Sequence, residues 1–300
     1  NAAYAAASGV LLAGFLQIVF IVGAAARSRL RLRLTWPRWN PETKNFMGAL
    51  GAATVGSASV QIQLFFDTLI ASFFPGVLTA VNYADRINQL PLGVLGIALA
   101  TVLLPEMSTL IAKGDEKGAQ AAQNRSAALG LFLTLPFMAA FLLVPQTIMR
   151  GIFAHGAFHI DAADDSAMAL AGYGVGLPAF VMVRVIAATF YSRHDTATPV
   201  RATLLAVAVN IALKFLLVWG FHLGALGVAL GTSLGSWANV TLLLILARRR
   251  GLLAIDDTFL RSLLPSLLGA AATGGASLLG ATVVLSVAHG GTLQNEAALG

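Results

Sequence analysis

VNYADRINQLPLGVLGIALATVLLPEMSTL, residues 81–110, decides how the rest of the chain is read. From residue 90 to residue 104 it carries no charge, yet Asp85, Arg86, Asn88 and Gln89 stand at the head of that run. About 20 apolar residues suffice for a helix to cross the hydrocarbon core of a bilayer. Ionisable groups at that depth cost about 2.5–3.5 kcal/mol each on insertion scales, so they face a partner or a water-filled space. Asp85 and Gln89 are four apart and share a helix face, while Arg86 points about 100° away. Pro91 follows, removes a backbone donor and bends the rod. The segment predicts a membrane helix with a polar, kinked end. On the residues alone, a second arrangement also fits, in which both charges snorkel to the headgroups.

The same pattern recurs along the chain. Of its 300 residues 57% are hydrophobic and 11% charged, and the mean hydropathy is +0.80, against about 45–50% apolar and 25% charged in soluble proteins. Eight apolar stretches, roughly 5–26, 47–74, 82–111, 126–149, 166–190, 202–221, 224–247 and 262–287, predict an all-α polytopic membrane protein. The first stretch has no start methionine, basic leader or cleavage site. It reads as a span, and the chain as part of a longer one. The absence of cysteine excludes a disulfide framework and a thiolate metal site.

A net charge of +6 does not point to nucleic acid, because the basic residues are spread over alternate short loops. One set holds Arg27, Arg29, Arg31, Arg33, Arg38 and Lys44, then Lys113, Lys117 and Arg125, then Arg193 and Arg201, then Arg248, Arg249, Arg250 and Arg261. The other set holds Arg150 beside Asp161, Asp164 and Asp165. Counted over short loops, this bias predicts that the first set is cytoplasmic and that residues 1–4 and the tail lie outside. Residues 27–46 form a basic linker whose RSRLRLRL run is either a solvated loop or lies on the anionic inner leaflet.

The charges left inside spans are Asp67, Asp85, Arg86, Glu106, Arg184 and Lys214. Asp67, in QIQLFFDTLIASFF, and Lys214, in NIALKFLLVW, belong to different spans, and a buried pair is the obvious way to retain both. Arg184, in LPAFVMVRVIAATFY, has no acid within a turn; it either snorkels or offers a fixed positive charge to an anion. Gly227, Gly231 and Gly235 repeat every four residues and let another helix come close. No GxxxxGK[ST], HExxH, GxSxG or GxGxxG string occurs, so nucleotide hydrolysis, zinc proteolysis and dinucleotide binding lack motif support. His155 and His159 are spaced for a metal or for nothing more than a solvated loop.

The YADRINQLPLGVLGIALATVLLPEMS run strongly resembles the hallmark of the lipid II flippases of the MurJ (MviN) type, in the multidrug/oligosaccharidyl-lipid/polysaccharide exporter superfamily. FYSRHDTATPV at 190–200 and GALGVALGTSLGSWAN at 224–239 also look like family segments. The resemblance implies two six-helix lobes followed by two helices. It makes residues 1–26 the last helix of the first lobe, 27–46 the linker, 47–250 the six-helix C-lobe, and 251–300 an additional helix with an outer tail. It implies transport of an undecaprenyl-pyrophosphate-linked muropeptide across the bacterial inner membrane by alternating access. Arg86 would bind the diphosphate, Asp85 would orient it or complete a gate, and Arg184, Gln89 and Asn88 would share the cavity. Some relatives resemble one another in a sodium site at positions matching Asp67, Asn210, Lys214, Val228 and Thr232. With lysine at 214, the expectation here is an Asp67–Lys214 pair with no sodium and no other cofactor. Membrane lipids, and peptidoglycan synthesis or division proteins, are the further partners implied. Rival expectations are another transporter of the superfamily, a membrane enzyme acting on a lipid-linked sugar, and a division scaffold.

Overall fold

The computed structural model describes residues 2–27, 40–153, 160–253 and 256–299. The chain divides into two compact units, Asn1–Leu50 and Gly51–Gly300. The first contains α1 (Ala2–Arg27), along which Leu11, Leu12, Phe15 and Phe20 are exposed, as suits a helix in lipid or against further protein.

Helix α2 (Pro41–Ser72) starts inside the segment expected to be a linker to residue 46. Asn40 explains this. Its side-chain oxygen accepts from the Thr43 amide at 2.8 Å and from the Thr43 hydroxyl at 2.6 Å, and proline, which lacks an amide hydrogen to leave unpaired, fills the first helical position. Residues 28–39, including most of the basic run, and His155 and His159 lie outside the described residues.

The second unit is a bundle. Helix α3 (Val77–Pro91), a five-residue π-turn (Leu92–Gly96) and α4 (Ile97–Ala112) form one rod. Then follow α5 (Glu116–Leu143), α6 (Pro145–Phe153), α7 (Ile160–Tyr191), α8 (Ala197–Phe215) with a second π-turn (Leu216–Gly220), α9 (Gly224–Arg249) and α10 (Asp257–Leu299). Among the described residues, six helical segments are long and apolar enough to cross a membrane: Val77–Ala112, Glu116–Leu143, Asp161–Tyr191, Ala197–Gly220, Gly224–Arg249 and Phe259–Val283. A shorter apolar helix covers Leu11–Ala24.

The stretch expected at 126–149 is corrected at both ends. Asp115 caps α5 by accepting from the Gly118 amide at 2.8 Å, which starts the helix ten residues early, in a polar segment. At the other end Val144 leaves helical geometry (φ −133°, ψ 39°) and Pro145 opens the separate α6. A proline cannot donate into the preceding turn but suits the first position of a new helix. In α6, Arg150 forms a bidentate pair with Asp164, at 2.7 and 2.5 Å.

Helix α7 is the axis of the bundle, packed against α3, α4, α5, α6 and α9, while α10 packs on α5 and α8 on α9. Small residues make the closest approaches. A Cβ at Gly172 would sit 2.8 Å from that of Ala229, and one at Gly176 would sit 2.8 Å from the Cα of Ser233. In the gap so formed, Ser233 donates to the Gly172 carbonyl at 2.7 Å and the Trp237 indole to the Val175 carbonyl at 2.9 Å. The glycines of α9 serve α8 in the same manner. A Cβ at Gly227 would meet Val218 at 3.1 Å, at Gly231 the backbone nitrogen of Lys214 at 3.2 Å, and at Gly235 the Cβ of Asn210 at 2.5 Å.

Candidate functional site

Polar residues of four helices meet where α2, α3, α7 and α9 border one cavity of about 130 Å³. Asp67 and Gln63 reach it from α2, Asp85 and Asn82 from α3, Tyr173 from α7 and Thr232 from α9. Gln63 and Asp67 are four residues apart, hence on one helix face. The close approach at Gly231 seats Lys214 with no exposed surface, and its ammonium donates to the Asp67 carboxylate, which is 15% exposed. Asp85, half-buried, accepts from the Gln89 amide one turn on.

The five residues that match the sodium site of some relatives are dispersed. Lys214 holds Asp67, the Thr232 hydroxyl donates back to the Val228 carbonyl at 3.2 Å, and Val228 itself lies in the apolar core. Asn210 lines a separate cavity of about 50 Å³ with Gln63, Thr203, Ser236 and Asn239. Among the five, Asp67 is the only carboxylate, and it is the one that the Lys214 ammonium contacts.

Arg86 and Arg184 stand outside both cavities. Arg86 is exposed and forms no ion pair with Asp85, since consecutive helical side chains diverge by about 100°. Arg184 is half-exposed and lies along the first π-turn, where a Cβ on Gly96 would come within 2.7 Å of its Nη1. Glycine at 96 thus gives the guanidinium its seat. Neither arginine has an ion-pair or hydrogen-bond partner among the described residues, whereas Lys214 is paired, and Glu106 is paired with Arg125 at 2.6 Å. Asn88 is 2% exposed and its side-chain oxygen has no partner among the described residues; Gln89 is exposed.

Tyr173, Gln63 and Asn82 were not singled out by sequence reasoning. Gln63 carried a signal, being an amide four residues before a charged span residue; Tyr173 in AGYGVG carried none beyond its flanking glycines.

The FYSRHDTATPV segment builds a latch at the basic end of the bundle. Asp195 caps α8, accepting from the Thr198 amide at 3.0 Å and hydroxyl at 2.6 Å, and also accepts from Arg250 at the end of α9 at 2.5 Å. Arg250 also donates to Thr198 at 3.0 Å and lies over the Phe190 ring. Arg193 donates to the Thr189 carbonyl at 2.8 Å and pairs with Glu116 at the head of α5. Burial pushes the Asp195 carboxyl up, but the bonds from Thr198 and Arg250 outweigh it and hold the group below its ordinary value of 3.8.

A family model described as "Lipid II flippase MurJ" matches residues 1–292. A probable lipid II flippase MurJ of Rhizobium tropici is 38% identical over 266 residues, covering 89% of this chain and 50% of that protein. One of Rhizobium meliloti is 39% identical over 235 residues, covering 78% and 44%. The chain thus spans about half the length of the curated relatives it matches. Among solved structures, a lipid II flippase MurJ in an inward closed conformation superposes with a TM-score of 0.60 at 24% identity, over 80% of this chain and 54% of that one. A multidrug and related exporter superfamily transporter of Pyrococcus furiosus superposes with 0.61 at 18%, over 76% and 51%. These likenesses show the fold.

Proposed function

The chain belongs to the lipid II flippase MurJ family, and from that premise we propose that the protein moves lipid II across the bacterial inner membrane by alternating access, with Arg86 and Arg184 binding the diphosphate. The observation that carries the assignment is that Arg86 and Arg184 have no anionic partner among the described residues, while Lys214 is spent on Asp67. A free guanidinium matches a phosphate in bidentate geometry, and leaving one unpaired at membrane depth is costly unless a ligand or water meets it. The sugars and acidic peptide of the substrate require a hydrated route, while the polyprenyl tail stays in lipid. Asp85, Asn88 and Gln89 supply the other polar groups of this end of α3.

The basic loops lie in the cytoplasm in this proposal, as the charge bias requires. With no nucleotide-binding motif, the drive is the membrane potential or an ion gradient; translocated charge gains about 2.3 kcal/mol per 100 mV. The Asp67–Lys214 pair stands in for an ion and makes the cycle independent of sodium. Density for a sodium mimic between Asp67 and Thr232 in soaked crystals would refute that part.

Arg86→Ala in the full-length protein should abolish complementation of a flippase-depleted strain while the protein stays in the membrane. Normal growth would remove Arg86 from the site. Retained transport after both Arg86→Ala and Arg184→Ala would end the proposal.

A further inference from the structure

A groove of about 460 Å³ runs between α8 and α9 at the end that carries the latch. Thr198, Arg201, Ala202 and Leu205 line it from α8, and Leu242, Ile245, Leu246 and Arg249 from α9, with Arg250 at the junction. Each set follows the same i, i+3, i+4, i+7 spacing, which puts four side chains on one helix face. The helices run antiparallel through the Phe221–Leu223 turn, so Arg201, one turn into α8, and Arg249, the last residue of α9, come to the same end. From Leu242 to Arg249 the groove extends about 10 Å along the helix, roughly a third of the hydrocarbon thickness.

The charges at its mouth are not equivalent. Arg250 is committed to Asp195, Thr198 and the Phe190 face. Arg201 and Arg249 are exposed and have no ion pair or hydrogen bond among the described residues. Asp195, an acid of the latch at the same end, is already held by Arg250. Below them Leu205 and Ile245 are 53% and 45% exposed. Two free guanidiniums above an open apolar channel, at the depth where a basic loop meets the headgroups, match an anion carried on a hydrocarbon tail.

We propose that the α8–α9 groove is a binding site for one anionic glycerophospholipid, its phosphate held between Arg201 and Arg249 and the upper part of an acyl chain lying along Leu205, Leu242 and Ile245. The site is distinct from the cavity of Asp67 and Asp85, and no step of transport is needed for it to fill. Basic pockets between membrane helices take anionic headgroups for the same reason: an unscreened positive charge beside low-dielectric surface gains most from a phosphate.

The test uses the purified full-length protein and phosphatidylglycerol added to phosphatidylcholine nanodiscs, with bound lipid counted by native mass spectrometry after release into detergent. Wild type should retain one phosphatidylglycerol that Arg201→Gln/Arg249→Gln loses, the affinity falling about fivefold for each guanidinium and about twenty-five-fold for both. Arg248→Gln, at the same end but outside the groove, should retain the lipid. Leu205→Trp keeps both guanidiniums, fills the channel and should also expel the lipid. Equal loss in Arg248→Gln would reduce the effect to a general field. Equal retention of phosphatidylcholine, or no loss in either Arg201→Gln/Arg249→Gln or Leu205→Trp, would overturn the site. An Arg86→Ala protein should keep this lipid, so the outcome is separable from the transport assignment.

Discussion

Replacing Lys214 by methionine keeps the alkyl stem but leaves Asp67 facing the cavity with no counter-charge. Replacing Asp67 by asparagine does the reverse and strands an ammonium that has no exposed surface. Breaking a buried pair from one side costs about 3–5 kcal/mol, because the remaining charge is uncompensated. Asp67 is 15% exposed and borders a cavity of about 130 Å³ large enough for water, so Lys214→Met should fall near the lower figure, and Asp67→Asn near the upper. The double variant removes both charges and should cost only about 2 kcal/mol, a coupling of about 6 kcal/mol in a double-mutant cycle. Thermal unfolding of the purified full-length protein reads this out, with melting lowered by on the order of 10 °C for each single change and far less for the pair. Trp219, stacked on Phe215 beside Lys214, provides a local emission signal. If the two single losses simply add in the double variant, the pair does not exist in solution and the argument against a bound ion falls with it.

Three further outcomes test separate parts of the structure. Gly231→Ala puts a methyl 3.2 Å from the Lys214 backbone nitrogen, which must push α8 from α9 and should cost about 1–3 kcal/mol in the same melt; an unchanged melting temperature would mean that the helices stand further apart. Gly96→Val takes the space of the Arg184 guanidinium and should weaken lipid II binding roughly tenfold, the loss of one charge-assisted contact, without lowering the amount of protein in the membrane. Asp195 has its folded value below 3.8, so its contribution is complete at neutral pH and is lost as pH falls through that region. Asp195→Asn should lower stability at pH 7 and flatten the acid limb of the melting profile; a parallel profile would deny the latch its charge.

The helical membrane architecture was legible because apolar runs of span length leave few other folds, and Asp67 with Lys214 because two opposite charges at membrane depth demand company. Four features escaped for physical reasons. Hydropathy is continuous through LLVPQTIM, so only backbone chemistry at Pro145 marks the break between α5 and α6. Conversely Asn40 followed by Pro41 is a helix-start signal that charge counting overrode. The latch joins Asp195 to Arg250 across 55 residues, a separation that no local pattern encodes. The stripe of Gly172 and Gly176 has small-xxx-small spacing, but sequence could not say that α7, rather than α9, sits at the centre of the bundle.

The two π-turns have a geometric result. Each carries one residue more than an α-helical turn would, and since a residue advances the helix by about 100°, everything beyond the insertion is rotated relative to what precedes it. In the first rod the face that presents Asp85 is thereby uncoupled from the face that α4 shows its neighbours; in the second, the face of Asn210 and Lys214 is uncoupled from Phe221, where the rod gives way to the turn before α9. Shortening either turn by a single residue would restore an ordinary helix and swing the polar end out of alignment, leaving hydropathy and length almost unaltered. Register, rather than greasiness, is what these two rods have least freedom to change.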